Sequence, residues 1–159
     1  NYWRFLRPTW QQKAGDDWRL FSTKEKLLRA LSGYERALLT LGQVSPKELA
    51  FLKSDQHIWL RTAVQPTHPL PSHVNWIKAI GPFNEACELA LLKQHHIQVI
   101  ASKNSGGSAT EAKLAAARTL KVPVFMLQRP DIKGPTEEDF GALIDRLQAW
   151  AETPMAVIA

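Results

Sequence analysis

A single cysteine, Cys87, stands among 159 residues, so no disulfide can form within the chain. That excludes the cystine-stapled scaffolds of small secreted domains and suits a reducing compartment. No apolar run approaches the ~20 residues of a membrane-spanning helix, and no signal-peptide pattern is visible at the start. Basic residues never gather into a run of five, which argues against a nucleic-acid arm. The HExxH zinc helix, the GxSxG nucleophile elbow, the P-loop and the GxGxxG dinucleotide fingerprint are all missing. The five histidines, at 57, 68, 73, 95 and 96, form no i,i+4 pair, so no metal site is expected. Cys87, flanked by Glu85 and Glu88, is a poor nucleophile candidate. These absences leave no membrane, nucleic-acid or metal partner in view.

Hydrophobic residues make up 45% and charged residues 22%, the balance of a soluble globular domain. At this length one domain with a sizeable core is expected. A net charge of +5 favours anionic small partners such as phosphates and polycarboxylates. The chain begins at Asn1 and runs at once into Tyr2–Leu6, which reads as a strand without a lead-in. The expectation is that something upstream lies on another piece, with processing of a natural N-terminus as the alternative.

Apolar runs predict strands over Trp18–Phe21 (a short edge strand), Arg36–Leu41, Ile58–Val64, Trp76–Ile80, Ile97–Ala101 and Val122–Leu127, the last in the chain. Between them, helices are predicted over Lys24–Leu31, Lys47–Lys53, Glu85–His95 and Glu111–Leu120. A final helix, Glu137–Ala151, is expected to be capped by Thr136. Alternating continuous strands and helices imply an α/β fold with a mostly parallel open sheet and helices on both faces, a Rossmann-like lobe. If the strands are parallel neighbours, four loops meet beyond their carboxyl ends: Gly42–Gln43, Gly81–Phe83, Lys103–Ser108 and Gln128–Pro130.

The loop from Ser102 to Thr110 is the strongest local signal. Strand, Gly/Ser/Asn loop and helix start, in that order, make an anion cradle of backbone N–H groups. Lys103 and Lys113 can add full charges, and Thr110 can cap the helix or donate to a phosphate. A tight Gly-rich turn is the plainer reading. Gly81-Pro82-Phe83-Asn84 sets a flexible glycine and a rigid proline at the sheet's mouth, or simply staples a helix with Phe83. Arg4, Arg7, Arg61 and Arg129 fall on strands or strand ends, where a guanidinium suits carboxylates and phosphates. Trp3, Trp10 and Trp18 read as packing residues, or as a lining for a flat conjugated ligand.

Gly81-Pro82-Phe83, Lys103-Asn104-Ser105-Gly106-Gly107, Ala112-Lys113…Ala116-Ala117-Arg118 and Pro123-Val124…Arg129-Pro130 together resemble the precorrin-6A reductase family. Arg7-Pro8…Trp10 resembles its RP-x-W segment, and the likeness covers nearly the whole chain. The resemblance implies a cytoplasmic enzyme of cobalamin biosynthesis that uses NADPH to reduce one double bond of a polycarboxylate tetrapyrrole, metal-free or cobalt-bearing. It implies that Lys103, Asn104, Ser105, Gly106, Gly107, Thr110 and Lys113 contribute to the NADPH cleft. Arg7 and Arg61 become candidates for substrate carboxylates or the cofactor 2′-phosphate, with Gly81, Pro82 and Phe83 beside the substrate. The family's opening GGT-x-E and its DATHPFA segment have no counterpart. The chain is therefore expected to be one α/β domain over residues 1–159, a C-terminal lobe plus linker whose N-terminal lobe is absent. No residue is placed by motif as the proton donor. A non-catalytic nucleotide- or phosphate-binding module is the alternative.

Overall fold

The computed structural model describes residues 4–130 and 136–152. The chain forms two compact units, Thr9–Pro130 and the pair of segments Asn1–Pro8 and Asp131–Ala159.

The larger unit carries a six-stranded sheet. Its strands are β2 (Trp18–Phe21), β3 (Arg36–Thr40), β4 (His57–Thr62), β5 (Val74–Lys78), β6 (Val99–Lys103) and β7 (Val124–Leu127). The spatial order is β2-β7-β6-β3-β4-β5, and every pairing is parallel. The mostly parallel open sheet expected from the apolar runs is thus present, with Trp18–Phe21 as an edge strand. From β3 the chain moves outward to β4 and β5, then returns to β6 on the other side of β3. The order reverses between β3 and β6, which is where ligands of such sheets bind.

Strand residues alternate between two apolar layers. Ala37, Leu39, Ile58, Leu60, Val99, Ala101 and Phe125 pack with Leu27, Leu28 and Leu49. Those leucines come from α1 (Lys24–Ala30) and α2 (Pro46–Leu49). Leu38, Trp59, Ile100, Val124 and Met126 face the other way, onto Leu92, Leu114, Ala116 and Ala117. These belong to α3 (Glu85–Gln94) and α4 (Ala112–Leu120). Both sheet faces are covered, which is why the central strands read as unbroken apolar runs.

Several boundaries differ from the sequence reading. β5 begins at Val74, not Trp76, because its extent is set by β4: Ile58 pairs with Val74 and Thr62 with Lys78. β6 runs from Val99 to Lys103 rather than from Ile97 to Ala101. Ile97 instead closes α3, its N–H donating to the Leu92 carbonyl at 2.9 Å. The helix at Lys47–Lys53 shrinks to α2, opened by a capping box between Ser45 and Glu48. Beyond it Gln56 binds the chain instead, accepting from the Lys53 N–H at 2.8 Å and donating to the Leu31 and Tyr34 carbonyls.

In the smaller unit, β1 (Arg4–Phe5) pairs in parallel with β8 (Thr136–Glu137). Of the strand expected at Tyr2–Leu6, Tyr2 lies outside the described residues, as does Trp3. Val124–Leu127 is therefore not the last strand, and Thr136 does not cap the final helix. That helix, α5, spans Phe140–Glu152. Asp139 caps it, its Oδ1 accepting from the Ala142 N–H at 2.7 Å. Phe5 meets Phe140 edge-on at 5.8 Å, and Arg146 pairs with Glu137 at 3.3 Å. Among the described residues no helix is long and apolar enough to cross a membrane, and no group of three potential metal ligands assembles.

Candidate functional site

Beyond the carboxyl ends of β3, β4, β5 and β6 lies a cleft of about 570 Å³, within the size range of small-molecule and cofactor sites. Its wall runs from Gly42 and Gln43 after β3, past Arg61 to Val64 at the end of β4, to Gly81 and Phe83 after β5. Lys103, Ser105 and Thr110 close it from the β6 side. Of the four loops expected to converge, three line this cleft. The fourth, Gln128–Pro130, contributes Gln128 and Arg129 to a second cleft of about 440 Å³ with Trp10, Trp18 and Asn104. Trp18 Nε1 is buried there without a hydrogen-bond partner.

Lys103 ends β6 at the point where the strand order reverses. Gly42 takes a left-handed turn (φ +78°) beside it, and a Cβ at Gly42 would come within 3.3 Å of Lys103 Nζ. The backbone conformation favours glycine at this position, and a Cβ there would press on the flexible end of Lys103. Lys103 is exposed, and its ammonium has no hydrogen-bond or ion-pair partner among the described residues.

The remainder of the Lys103–Gly107 loop is held from a distance. Asn104 Oδ1 accepts from the Trp10 N–H at 2.8 Å, and Asn104 Nδ2 donates to the Trp10 carbonyl at 3.0 Å. Trp10 Nε1 donates to the Gly107 carbonyl at 3.0 Å. Arg129 Nε donates to the Asn104 carbonyl at 2.8 Å. Gly106 (φ +63°) and Gly107 (φ +82°) supply the left-handed backbone that lets the loop close around the indole. Two ion pairs tie the Trp10 segment to α4 and its start: Lys13 with Glu111 and Asp16 with Arg118, both at 2.8 Å. Ser105 and Thr110 line the cleft, whereas Asn104 spends its side chain on Trp10.

The 105–110 segment is also locked to the Gly81–Phe83 turn, which contains a cis Gly81–Pro82 bond. The Phe83 N–H donates to the Ala109 carbonyl at 3.0 Å. A Cβ at Gly81 would sit 3.0 Å from that same oxygen, tight enough to push the two segments apart.

Under this rim lies a cluster of buried charge. Arg61 is 7% exposed and donates from Nη1 to Glu88 Oε1 at 2.6 Å; Glu88 is 2% exposed. The guanidinium lies 4.4 Å from the centre of the Phe83 ring. Lys113, 3% exposed, donates from Nζ to the Thr110 carbonyl at 2.6 Å and sits 4.4 Å from the Trp10 ring centre. Burial pushes the Lys113 ammonium down from 10.5 to about 7, with the Arg61 charge acting in the same direction and Glu88 opposing. Lys113 is absent from the cleft lining. Arg7 belongs to the smaller unit.

Glu88 was not legible as a site residue by motif. Its signal was positional: it precedes the buried Leu92 by four residues on α3, so it shares the apolar face. A carboxylate there needs a cation, and Arg61, set in the apolar strand His57–Thr62, is that cation.

The larger unit is an open, all-parallel α/β lobe with a cationic cleft where its strand order reverses. The chain belongs to the precorrin-6x reductase CbiJ/CobK family, whose model matches residues 1–151. It is 38% identical over 154 residues to a precorrin-6A reductase of Rhodococcus erythropolis, covering 92% of this chain and 58% of that protein. A precorrin-6A reductase of Sinorhizobium sp is 36% identical over 151 residues, covering 91% of this chain and 56% of the relative. The solved structure of CobK precorrin-6A reductase matches with a TM-score of 0.81 at 30% identity, across 96% of this chain and 62% of that one. The chain therefore spans somewhat over half the length of the curated relatives it matches.

Proposed function

We propose that this chain is one lobe of an NADPH-dependent, cytoplasmic reductase of cobalamin biosynthesis that reduces a C=C bond of a corrin precursor, precorrin-6A or its cobalt form. The observation that supports the reading is the partnerless Lys103 ammonium over Gly42, in a chain of a reductase family. The residues present fit a phosphate-bearing cofactor. Lys103 offers a free cation, Ser105 and Thr110 offer hydroxyls in the same cleft, and Gly42 leaves the room. When bound, NADPH supplies the hydride.

This chain's part is to bind and orient. Lys103 holds the cofactor phosphate, with Ser105 and Thr110 beside it. Gly106 and Gly107 give the loop the turn that aims these groups, and Asn104 fixes that turn against Trp10. Lys113 anchors the start of α4 beneath the loop. Gly81, Pro82 and Phe83 border the tetrapyrrole. A second, N-terminal lobe supplies the other wall, and this chain alone turns over little or no substrate.

The test titrates NADPH and NADH into the chain, alone and with the remaining length of its relatives supplied, and then adds precorrin-6A. The expected result is NADPH oxidation coupled to reduction of the macrocycle when both parts are present. NADPH binding without reduction leaves the non-catalytic module instead. In the assembled protein Lys103→Ala is expected to weaken NADPH about tenfold. Unchanged affinity removes the phosphate role from that loop.

A further inference from the structure

Arg61 is more than nine-tenths buried and lines the cleft, and among the described residues its side chain makes one hydrogen bond, from Nη1 to Glu88. Its other guanidinium donors have no partner among the described residues. One face rests on Phe83 and one corner on Glu88, so the plane of the fork is fixed while another edge stays open. A buried guanidinium with unused donors on a cleft wall is a built anion site.

We propose that Arg61 reads a carboxylate of the cleft's ligand and that Glu88 is the positioning residue that presents it, leaving phosphate to Lys103. The division of labour follows from charge. Arg61 and Glu88 form a neutral buried pair, and the Lys113 amine of the same cluster gives its hydrogen bond to the Thr110 carbonyl and is pushed by burial toward its neutral form, so an incoming carboxylate adds one negative charge beside Glu88. A phosphate monoester adds up to two, against the like charge of a carboxylate in a poorly solvated site. Lys103, exposed and with no acidic partner, suits the more highly charged group. A planar fork also matches a planar carboxylate edge to edge, which a flexible ammonium does not. Glu88 Oε2 is itself buried without a partner. Glu88 therefore grips Arg61 by a single link, and the fork stays unsaturated until ligand arrives.

The assignment takes its ligand, a polycarboxylate tetrapyrrole, from the reductase reading above. The probe is uroporphyrin, a tetrapyrrole octacarboxylate, titrated into the chain by fluorescence. Inorganic phosphate serves as competitor, and NADPH is titrated separately. Arg61→Lys keeps the charge and loses the fork; it is expected to weaken uroporphyrin about tenfold and NADPH less than about twofold. Glu88→Gln keeps an acceptor at Oε1 but leaves a net positive charge at Arg61. Inorganic phosphate is then expected to displace uroporphyrin at roughly tenfold lower concentration than from the parent chain. The double substitution Arg61→Met with Glu88→Leu replaces the pair by apolar groups of similar volume, which buried pairs tolerate. It should fold and bind uroporphyrin at least as poorly as Arg61→Lys.

Uroporphyrin that ignores the parent chain at millimolar concentration, or binds both Arg61 variants as well as the parent, overturns the carboxylate role. So does an Arg61→Lys that weakens NADPH as much as uroporphyrin. Unchanged phosphate competition in Glu88→Gln removes the positioning role. Failure of NADPH to reduce precorrin-6A in the assembled protein would sink the reductase reading and leave these titrations standing.

Discussion

Replacing Lys113 by methionine keeps an unbranched stem in the interior and removes the ammonium. The native amine lies 3% exposed beneath the Gly107–Thr110 turn, and burial pushes it from 10.5 to about 7. The unfolded chain holds the proton up to the ordinary value, the folded protein only to about 7. Between those limits the unfolded state binds more protons, so the Lys113 contribution to stability rises with pH. It is fully present above 10.5 and is lost as pH falls through that window to about 7. The whole span is worth on the order of 5 kcal/mol at about 1.4 kcal/mol per pH unit. The assay is urea unfolding of the parent chain and Lys113→Met at pH 6, 7, 8 and 9, taking the difference at each pH so that groups common to both cancel. That difference is expected to grow in the parent's favour by roughly 2–3 kcal/mol between pH 7 and 9, and to flatten below pH 7. The lost hydrogen bond to the Thr110 carbonyl adds an offset of about 1 kcal/mol that does not vary with pH. A difference that stays level across the series, or runs the other way, refutes the placement of Lys113 as a buried amine.

Asn104→Ala removes both hydrogen bonds to the Trp10 backbone. It should cost about 2 kcal/mol in urea unfolding and raise hydrogen exchange at residues 103–107. Gly42→Ala forces a left-handed alanine and drives its Cβ toward Lys103 Nζ. The expected outcome is a loss of at least about 1 kcal/mol together with weaker NADPH binding. Gly81→Ala collides with the Ala109 carbonyl, and calorimetry should show a Tm lower by several degrees, for about 1–3 kcal/mol of strain.

The parts of the fold that the sequence disclosed are those where one residue type repeats for a local reason. Leu38 and Leu39, or Ile58, Trp59 and Leu60, read as buried strands because both sheet faces are covered, so every position is apolar. The Lys103–Gly107 loop was legible as a turn beyond the carboxyl end of a strand because glycines and a lysine follow an apolar run. What escaped was set by distant partners. The ends of β5 follow β4, and the cap of α5 moved to Asp139 once Thr136 and Glu137 joined β1. Asn104 carries no local sign that its amide belongs to Trp10. Lys113 reads from the sequence as a cation of the cradle, and nothing in its row of alanines signals that its amine is buried. Yet it shares its helix face with Ala116 and Ala117, and those small side chains let α4 sit close enough to bury it.

The bond between Asn104 and Trp10 joins residues 94 positions apart. The cleft loop is therefore not a self-contained peptide with a shape of its own. Moved into an unrelated scaffold, residues 102–110 would bring their glycines and lysine but leave their template behind. Evolution of this site has to treat the start of the larger unit and the loop after its fifth strand as a single inherited object, and changes at Trp10 should register as altered ligand binding although Trp10 lies outside the main cleft lining.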